Sequence, residues 1–480
     1  MRDHVLLFIN GCKQRVSGSD VFLSLADFLR YRLGLVGTKV VCSEGDCGAC
    51  TVLVGRPRSD VLEYQSVDSC IQFLFQLDGR HVVTVEGLLS GGRLHPVQEA
   101  LIRCHGSQCG FCTPGIVMAM AGMLEQTDRM DELDLRYGLT GNLCRCTGYS
   151  PIIEAGLKCS ADALRRMNEQ YPPAPILADF AASESAAITV ASEQSERRRI
   201  FYSPDDLPSA LEFLAEHPRA TIVAGGTDLG VLINKGVIAP DVILDLNRVA
   251  ELEGVSVDGG VLVAGARASW TEIERSVELL APPLHHILTL FGAPQIRNVG
   301  TIGGNIANAS PIADSLPFLF VCEAELELRS LAGVRYVNIN DFYQSYKQID
   351  LLPGELLVRV RIPLPSDDSI LRLYKVSRRR DLDIAGFTAA ILVRLEGPKI
   401  KTASVSLGAV GPTVIRARRT EAFLVGRPFN ELTMREAGEV AVGEISPISD
   451  VRGSQDFRRC LTQNVFTKFF HETNSHAVDR

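Results

Sequence analysis

The sequence predicts a multidomain α+β protein, and three observations carry that prediction. A chain of 480 residues exceeds what one hydrophobic core organises, so roughly two to four domains are expected. Residues 1–90 alternate short strand patterns with one helix, whereas residues 91–165 read as helices alone. A Pro-, Ala- and Ser-rich stretch at 166–198 then breaks the periodicity and reads as a linker. Strand, glycine turn and helix return over 199–370, and helix with antiparallel strand follows over 371–480, beyond the Pro-rich "IPLPSDD".

Each element has a local cause. "HVLLFING" and "CKQRVSG" form a hairpin pattern around Asn10-Gly11. In "SLADFLRYRLGL", Leu25, Phe28, Leu29 and Leu33 share a face, and Ser24 is placed to cap the helix. "TVLVG" and "HVVTVEGL" are further strands. "HPVQEALIRCHG" and "TPGIVMAMAGMLEQ" open with capping signals, Thr113 as the expected cap and Pro114 at the first helical position. Met118, Met120 and Met123 read as core filler. "RATIVAGGTDLGVLINKG" is strand, Gly-rich turn and helix, and "FTAAILVRL" and "KTASVSLGAVG" are strands.

Composition excludes several classes. The hydrophobic fraction is 46% and the net charge −8, with no Lys/Arg run beyond Arg197–Arg199 and Arg378–Arg380. Nucleic acid and anionic membrane are therefore not expected partners. No apolar run reaches the roughly 18–20 residues of a membrane span. The start "MRDHVLLFING" reads as strand and turn without a signal-peptide cleavage site, and a cytoplasmic location is expected. In that compartment the 13 cysteines are expected to be reduced, so metal or cluster binding leads over disulfides. Cys12, Cys104, Cys159, Cys322 and Cys460 read as small buried hydrophobes.

The other eight cysteines fall into two sets. Cys42, Cys47 and Cys50 are spaced Cys-x4-Cys-x2-Cys, and Cys70 follows after 19 residues. This is the plant-type [2Fe–2S] loop spacing. Gly45 and Gly48 allow the close approach and positive φ that such a loop needs to aim N–H groups at sulfur. Zinc prefers paired Cys-x2-Cys knuckles, which this loop is not. The second set is Cys109 and Cys112 in "SQCGFCTPG", then Cys144 and Cys146 in "GNLCRCTGY". Cys-x-Cys strains a tetrahedral zinc site. A thioredoxin-like dithiol needs a strand before its helix, and here helices flank Cys109 and Cys112. A second [2Fe–2S] cluster is the better reading, and two one-electron centres imply electron transfer.

Two glycine loops follow. "AGGTD" after a strand offers N–H donors to a pyrophosphate through Gly225 and Gly226, without the G-x-G-x-x-G spacing of a Rossmann loop. "TIGGNIANASPIAD" adds a second Gly-Gly with Thr301, Asn305, Asn308 and Ser310 as polar partners. Neither has a Lys in Walker position, which suits FAD better than a nucleoside triphosphate.

Together these stretches resemble the xanthine oxidase family of molybdenum hydroxylases. The order of modules, with no molybdenum domain after them, resembles the small iron–sulfur and flavin subunit of a bacterial two-subunit xanthine dehydrogenase. The resemblance implies a β-grasp ferredoxin-like domain, a four-helix second iron–sulfur domain, an α+β FAD-binding domain of the vanillyl-alcohol-oxidase (PCMH) type and a C-terminal α+β flavoprotein domain. It assigns FAD contacts to Ile222, Val223, Ala224, Gly225, Gly226, Thr227, Asp228, Leu229, Phe291, Thr301, Ile302, Gly303, Gly304, Asn305, Asp314, Leu357 and Lys375. Phe291 would pack on the isoalloxazine, Asp314 would accept from a ribityl or ribose hydroxyl, and Gln108 would touch the pterin. "YKVSRRRDLDIAG" resembles the loop where NAD enters. The implied activity is an oxidoreductase relay in hypoxanthine and xanthine oxidation to urate. Electrons would pass from molybdopterin on a larger partner subunit, in a heterodimer or (αβ)2 heterotetramer, through the Cys109 set and the Cys42 set to FAD and NAD. No catalytic side chain is expected on this chain. The equivalent subunit of an aldehyde or N-heterocycle hydroxylase, a cluster-based redox sensor and a zinc-stabilised binding module are the competing readings.

Overall fold

Asn10 and Gly11 both take positive φ, 49° and 78°, which is the mirror-image turn that a two-residue hairpin favours. The turn joins strands His4–Ile9 and Cys12–Ser17 with Ile9 opposite Cys12. Cys104, Cys159 and Cys322 are buried as expected, but Cys12, next to the turn, and Cys460 are exposed. In this computed structural model, which describes residues 2–159, 165–183, 187–194 and 197–474, the hairpin seeds a five-stranded sheet. Its order is Cys12–Ser17, His4–Ile9, Arg80–Val83, Thr51–Arg58, Val61–Asp68. The Arg80–Val83 strand is parallel to His4–Ile9 and antiparallel to Thr51–Arg58. Ser24 caps the short helix after it by accepting from the Asp27 N–H at 3.1 Å, and Leu25, Phe28 and Leu29 are buried.

Four helices follow: Pro96–Arg103, Thr113–Leu124, Glu132–Gly138 and Ser150–Leu157. Met118 and Met120 are buried in their core, as filler. Cys112, not Thr113, holds the cap position of the second helix, because the Thr113 hydroxyl pairs with Ser107 at 2.8 Å.

The expected linker is a correction. Helices Met167–Gln170 and Pro173–Ala181 lie within it, followed by the antiparallel strands Ile188–Gln194 and Arg197–Ser203. Met167, Ile176 and Phe180 are buried, and Phe180 packs edge-on against Phe8 at 5.5 Å. Asn168 closes both backbone groups of Leu62. Three apolar anchors were enough to order a stretch whose composition is otherwise that of a linker. Residues 184–186 and 195–196 of that stretch, 160–164 of the helical segment, 475–480 of the last segment and Met1 lie outside the described residues.

The chain forms two compact units, Met1–Ala250 with Ala293–Gly300, and Glu251–Gly292 with Thr301–Arg480. The first also contains a four-stranded sheet in which Arg197–Ser203 and Thr221–Val223 flank Val242–Asp245 in parallel. The second carries an antiparallel sheet ordered Val255–Asp258, Val261–Gly265, Leu356–Pro363, Glu325–Ser330, Gly333–Asn338. Its other sheet, Ser369–Val376, Phe387–Glu396, Lys399–Gly408 and Ile415–Arg416, packs on helices Glu431–Val442 and Gln455–Asn474 through Met434, Phe466 and Phe469. Among the described residues no helix is long and apolar enough to cross a membrane.

His81 ties the first sheet together. Its Nε2 accepts from the Gly11 N–H at 3.0 Å, so Nδ1 carries the proton and donates to the Tyr64 hydroxyl at 2.6 Å. Burial lowers its pKa from 6.5 to about 4. The unfolded chain therefore binds a proton below pH 6.5 that the folded one refuses until about pH 4, and stability falls as pH drops through that window. The expected loss is about 3 kcal/mol for this group. Denaturant unfolding across that pH range measures it, and His81→Gln should flatten its share of the acid limb.

Candidate functional site

The loop between Cys42 and Cys50 turns on three residues of positive φ: Ser43 at 56°, Gly45 at 71° and Gly48 at 65°. Those turns point backbone N–H groups inward. The Cys42 sulfur receives the N–H groups of Glu44 and Asp46, and the Cys47 sulfur receives that of Ala49. The thiols also meet one another. Cys42 accepts from Cys47 and Cys70, and Cys70 also pairs with Cys50. Hydrogen bonds from its two neighbours hold Cys42 far below the ordinary thiol range, while the Cys47 and Cys70 thiols are pushed up. Among the described residues no three His, Cys, Asp or Glu side chains are grouped to hold a single metal ion. The four thiols run instead as a chain of neighbours, Cys47 to Cys42 to Cys70 to Cys50.

An apolar wall closes this loop. Cys50 and Cys70 are buried with Ala26 and Ile71, and Val40, Val231 and Ile296 pack against them. A carboxylate stands in the same wall. Asp68 is 2% exposed, its Oδ1 accepts from Cys50 at 3.6 Å and its Oδ2 has no partner. Burial, with the Cys42 charge second, raises its pKa to about 7. The sequence reading did not single out Asp68. Its signal was an acid two residues before Cys70 at the end of strand Val61–Asp68.

The second set also converges. Cys146 and Cys109 sulfurs are 3.5 Å apart, and Cys112 pairs with Cys144. Burial, then Cys144, pushes the Cys112 thiol up to about 12. Burial works against the Cys144 thiolate, but the Thr147 hydroxyl at 3.3 Å and the N–H groups of Thr147 and Cys146 bring its pKa below the usual value. The Cys144 N–H donates to the Tyr149 hydroxyl at 2.9 Å. Cys109 and Cys146 are exposed, as is Gln108 beside them.

The two sets are neighbours. The Leu143 N–H, one residue before Cys144, donates to the Cys47 carbonyl at 3.0 Å. Asn142 donates to the Gly48 carbonyl at 3.0 Å, and a Cβ on Gly115 would lie 2.0 Å from that same oxygen.

The glycine loops were assigned by resemblance to FAD, and each has a built environment. In the first unit, Gln76 donates to the carbonyls of Ala224 and Gly225 at 3.1 and 3.2 Å, and Asn247 donates to that of Ala224 at 2.9 Å. A Cβ on Gly225 would lie 2.1 Å from the Val299 carbonyl, and Gly226 sits at φ 72° before helix Thr227–Asn234. Val223 is buried, Ile222 and Asp228 are exposed, and Thr227 and Leu229 are half-buried. The helix ends on the cysteine loop: Asn234 donates to the carbonyls of Ser43 and Cys70 at 2.9 and 2.8 Å, and Lys235 pairs with Glu44. Sequence reasoning missed Gln76, Asn247 and Asn234, because each acts through backbone carbonyls distant in the chain.

In the second unit, Thr301 caps helix Ile302–Ala307 by accepting from the Gly304 N–H at 3.1 Å, and a Cβ on Gly303 would lie 2.6 Å from the Ala266 carbonyl. Ser315 donates to Asn305 at 2.7 Å. Phe291 packs edge-on against Trp270 at 5.2 Å, and Leu357 is buried in the same core. Asp314 and Lys375 are brought together: Nζ to Oδ2 is 2.7 Å, with side chains 7% and 2% exposed. Lys375 also donates to the Leu290 carbonyl at 2.9 Å, and Asp314 Oδ1 is buried without a partner. That orphaned acceptor, beside a lysine that already neutralises the charge, fits a ligand hydroxyl.

The Gly48–Gly115 contact yields a direct prediction. Gly115→Ala forces its Cβ into the Gly48 carbonyl, and overpacking of this kind costs about 1–3 kcal/mol. Chemical denaturation of Gly115→Ala should show that loss, and iron analysis should show fewer irons per chain than wild type.

Comparisons with known proteins agree with this arrangement. Residues 193–365 match the FAD binding domain in molybdopterin dehydrogenase, residues 372–473 the CO dehydrogenase flavoprotein C-terminal domain, and residues 84–157 a [2Fe-2S] binding domain. Xanthine dehydrogenase 1 of Arabidopsis thaliana is 31% identical over 97% of this chain and 39% of its own length. Aldehyde oxidase 1 of Bos taurus is 32% identical over 98% and 39%. The chain thus spans about two fifths of the length of these curated relatives. Among solved structures, a carbon monoxide dehydrogenase from Hydrogenophaga pseudoflava is 27% identical with a TM-score of 0.54, over 56% of this chain and 94% of that one. Quinoline 2-oxidoreductase from Pseudomonas putida 86 is 33% identical with a TM-score of 0.53, over 57% and 96%. With an iron–sulfur domain and both flavoprotein domains of that kind in one sequence, the chain belongs to the molybdenum hydroxylase family.

Proposed function

We propose that this chain is the iron–sulfur and flavin part of a xanthine dehydrogenase. In this reading Cys42, Cys47, Cys50 and Cys70 hold one [2Fe–2S] cluster, and Cys109, Cys112, Cys144 and Cys146 hold the other. Bound clusters pass single electrons, and bound FAD exchanges electron pairs with NAD at the level of hydride. The observation that carries the reading is the hydrogen bond from Leu143 to the Cys47 carbonyl, which makes the two thiol sets near neighbours within one unit.

The chain's own residues have definite tasks in it. Gly45 and Gly48 let N–H groups reach sulfur, and Val231 and Ile296 keep water from the first set. Gln76 and Asn247 hold the Ala224–Gly225 carbonyls and so fix the direction of the glycine loop. Asp314 would accept a hydroxyl of FAD while Lys375 balances its charge, and Thr301–Asn305, Phe291 and Leu357 of the same unit would add flavin contacts. The exposed Gln108 beside Cys109 faces the molybdopterin of a larger polypeptide, in a heterodimer or an (αβ)2 assembly. Similarity to aldehyde oxidase and to quinoline 2-oxidoreductase supports a second reading, the same part of an aldehyde or N-heterocycle hydroxylase.

One preparation tests both readings. Purified from its native source with whatever copurifies, the chain should carry about four irons, as two [2Fe–2S] clusters require, and one FAD. The complex should oxidise xanthine and hypoxanthine with NAD. Zinc without flavin overturns the relay, and turnover of aldehydes or N-heterocycles alone selects the second reading. The flavin site has its own test. Removing one partner of a buried pair costs about 3–5 kcal/mol, so Lys375→Met should lose both stability and flavin. The double variant Asp314→Leu with Lys375→Met should regain stability in denaturant while its flavin absorbance stays low.

A further inference from the structure

The segment Ala293–Gly300 touches both cysteine modules with four consecutive side chains. Asn298 donates to the Ser66 carbonyl of the first sheet at 2.9 Å. Arg297 stacks over the Tyr137 ring of the helical module at 4.9 Å. Ile296 packs at the first cysteine loop, where a Cβ on Gly45 would lie 3.1 Å from its Cδ1. Gln295 is fully buried and donates to Asn142 Oδ1 at 2.8 Å, with Thr51 Oγ1 at 3.4 Å.

Asn142 is the pivot of this network. It is 2% exposed, and its amide group donates to the Gly48 carbonyl at 3.0 Å and to Thr51 Oγ1 at 3.2 Å. The next residue, Leu143, makes the 3.0 Å bond to the Cys47 carbonyl, and the one after that is the ligand Cys144. An amide side chain has separate donor and acceptor ends. By donating to Asn142 Oδ1, Gln295 leaves the Asn142 NH2 only one orientation, towards Gly48 and Thr51. A Cβ on Gly141 would lie 2.3 Å from Gln295 Oε1, so the glutamine also sets the backbone just before Asn142.

We propose that Gln295 is a positioning residue for electron transfer between the two clusters. It fixes Asn142, and through it the Leu143–Cys47 hydrogen bond that connects the ligand loops. With both clusters bound, the step it would serve is the passage of one electron from the Cys109 set to the Cys42 set, with no proton or other atom moving. The proposal rests on the reading that the eight thiols hold two clusters.

The test uses the flavin- and iron-loaded protein, wild type and Gln295→Leu, with photochemical one-electron reduction. In the variant the exchange of the Leu143 amide with deuterium should rise about tenfold or more, reporting local opening at that bond. Inter-cluster equilibration should slow about tenfold, the scale that small misplacements of reacting centres produce. Iron content and the midpoint potentials of both clusters should stay at wild-type values. Unchanged Leu143 protection and an unchanged equilibration rate overturn the proposal. Should Gln295→Leu lose iron, the isosteric Gln295→Glu is read in the same two ways, and loss of iron from both variants overturns positioning in favour of a purely structural role. Absence of two [2Fe–2S] resonances in reduced wild type would sink the cluster reading itself, which these outcomes keep separate from Gln295.

Discussion

One carbonyl oxygen, that of Gly48, carries the junction between the two cysteine sets. It accepts from the Thr51 N–H, the Thr51 hydroxyl and the Asn142 amide, at 3.1, 2.7 and 3.0 Å. Gly115 presses against it with no room for a side chain, and Gly48 itself turns at a positive φ beneath Gly141. The chain accepts two glycines and a buried asparagine there, each a weak choice for a stable core on its own. What the arrangement achieves is backbone approach at a distance that side chains would forbid. The two loops that carry Cys47 and Cys144 can then share a direct hydrogen bond.

Electrostatics follows from the same packing. Thiols crowded behind an apolar wall cannot all stay neutral and satisfied, so Cys42 becomes the acceptor for its neighbours while Cys47 and Cys70 are pushed up. Asp68, buried against Cys50, places a carboxyl group in the same corner. The second set is more open to solvent, with Cys109 and Cys146 at the surface. The two sets are thus chemically alike but sit in unlike dielectric surroundings, which is a physical basis for unlike potentials.

Much of this was legible in the sequence, and particular residues say why. The hairpin at Asn10-Gly11, the cap at Ser24 and the cysteine spacings are local, and spacing alone reports them. The stretch 166–198 was misread because its composition is that of a linker, while its order comes from Met167, Ile176 and Phe180 meeting a distant sheet. Thr113 was misread as a cap because its hydroxyl is engaged by Ser107, on a turn that propensity cannot see. Asp68, Gln76, Asn142, Asn234 and Gln295 were invisible for a common reason. Each acts on a group distant in the chain, a backbone carbonyl for Gln76, Asn142 and Asn234 and a side chain for Asp68 and Gln295, so no short window of sequence contains both partners.

The segment Ala293–Gly300 belongs to the first compact unit, although the residues on either side of it belong to the second. The chain therefore crosses between units twice within a few residues, and the order of synthesis matters. Every thiol through Cys146 emerges from the ribosome long before Gln295. The loops can gather their cysteines early, but the buried amide that locks Asn142 arrives only when most of the flavin-binding sequence has been made. The Gln295–Asn142 contact joins residues 153 positions apart, so it cannot form before that later segment has been made.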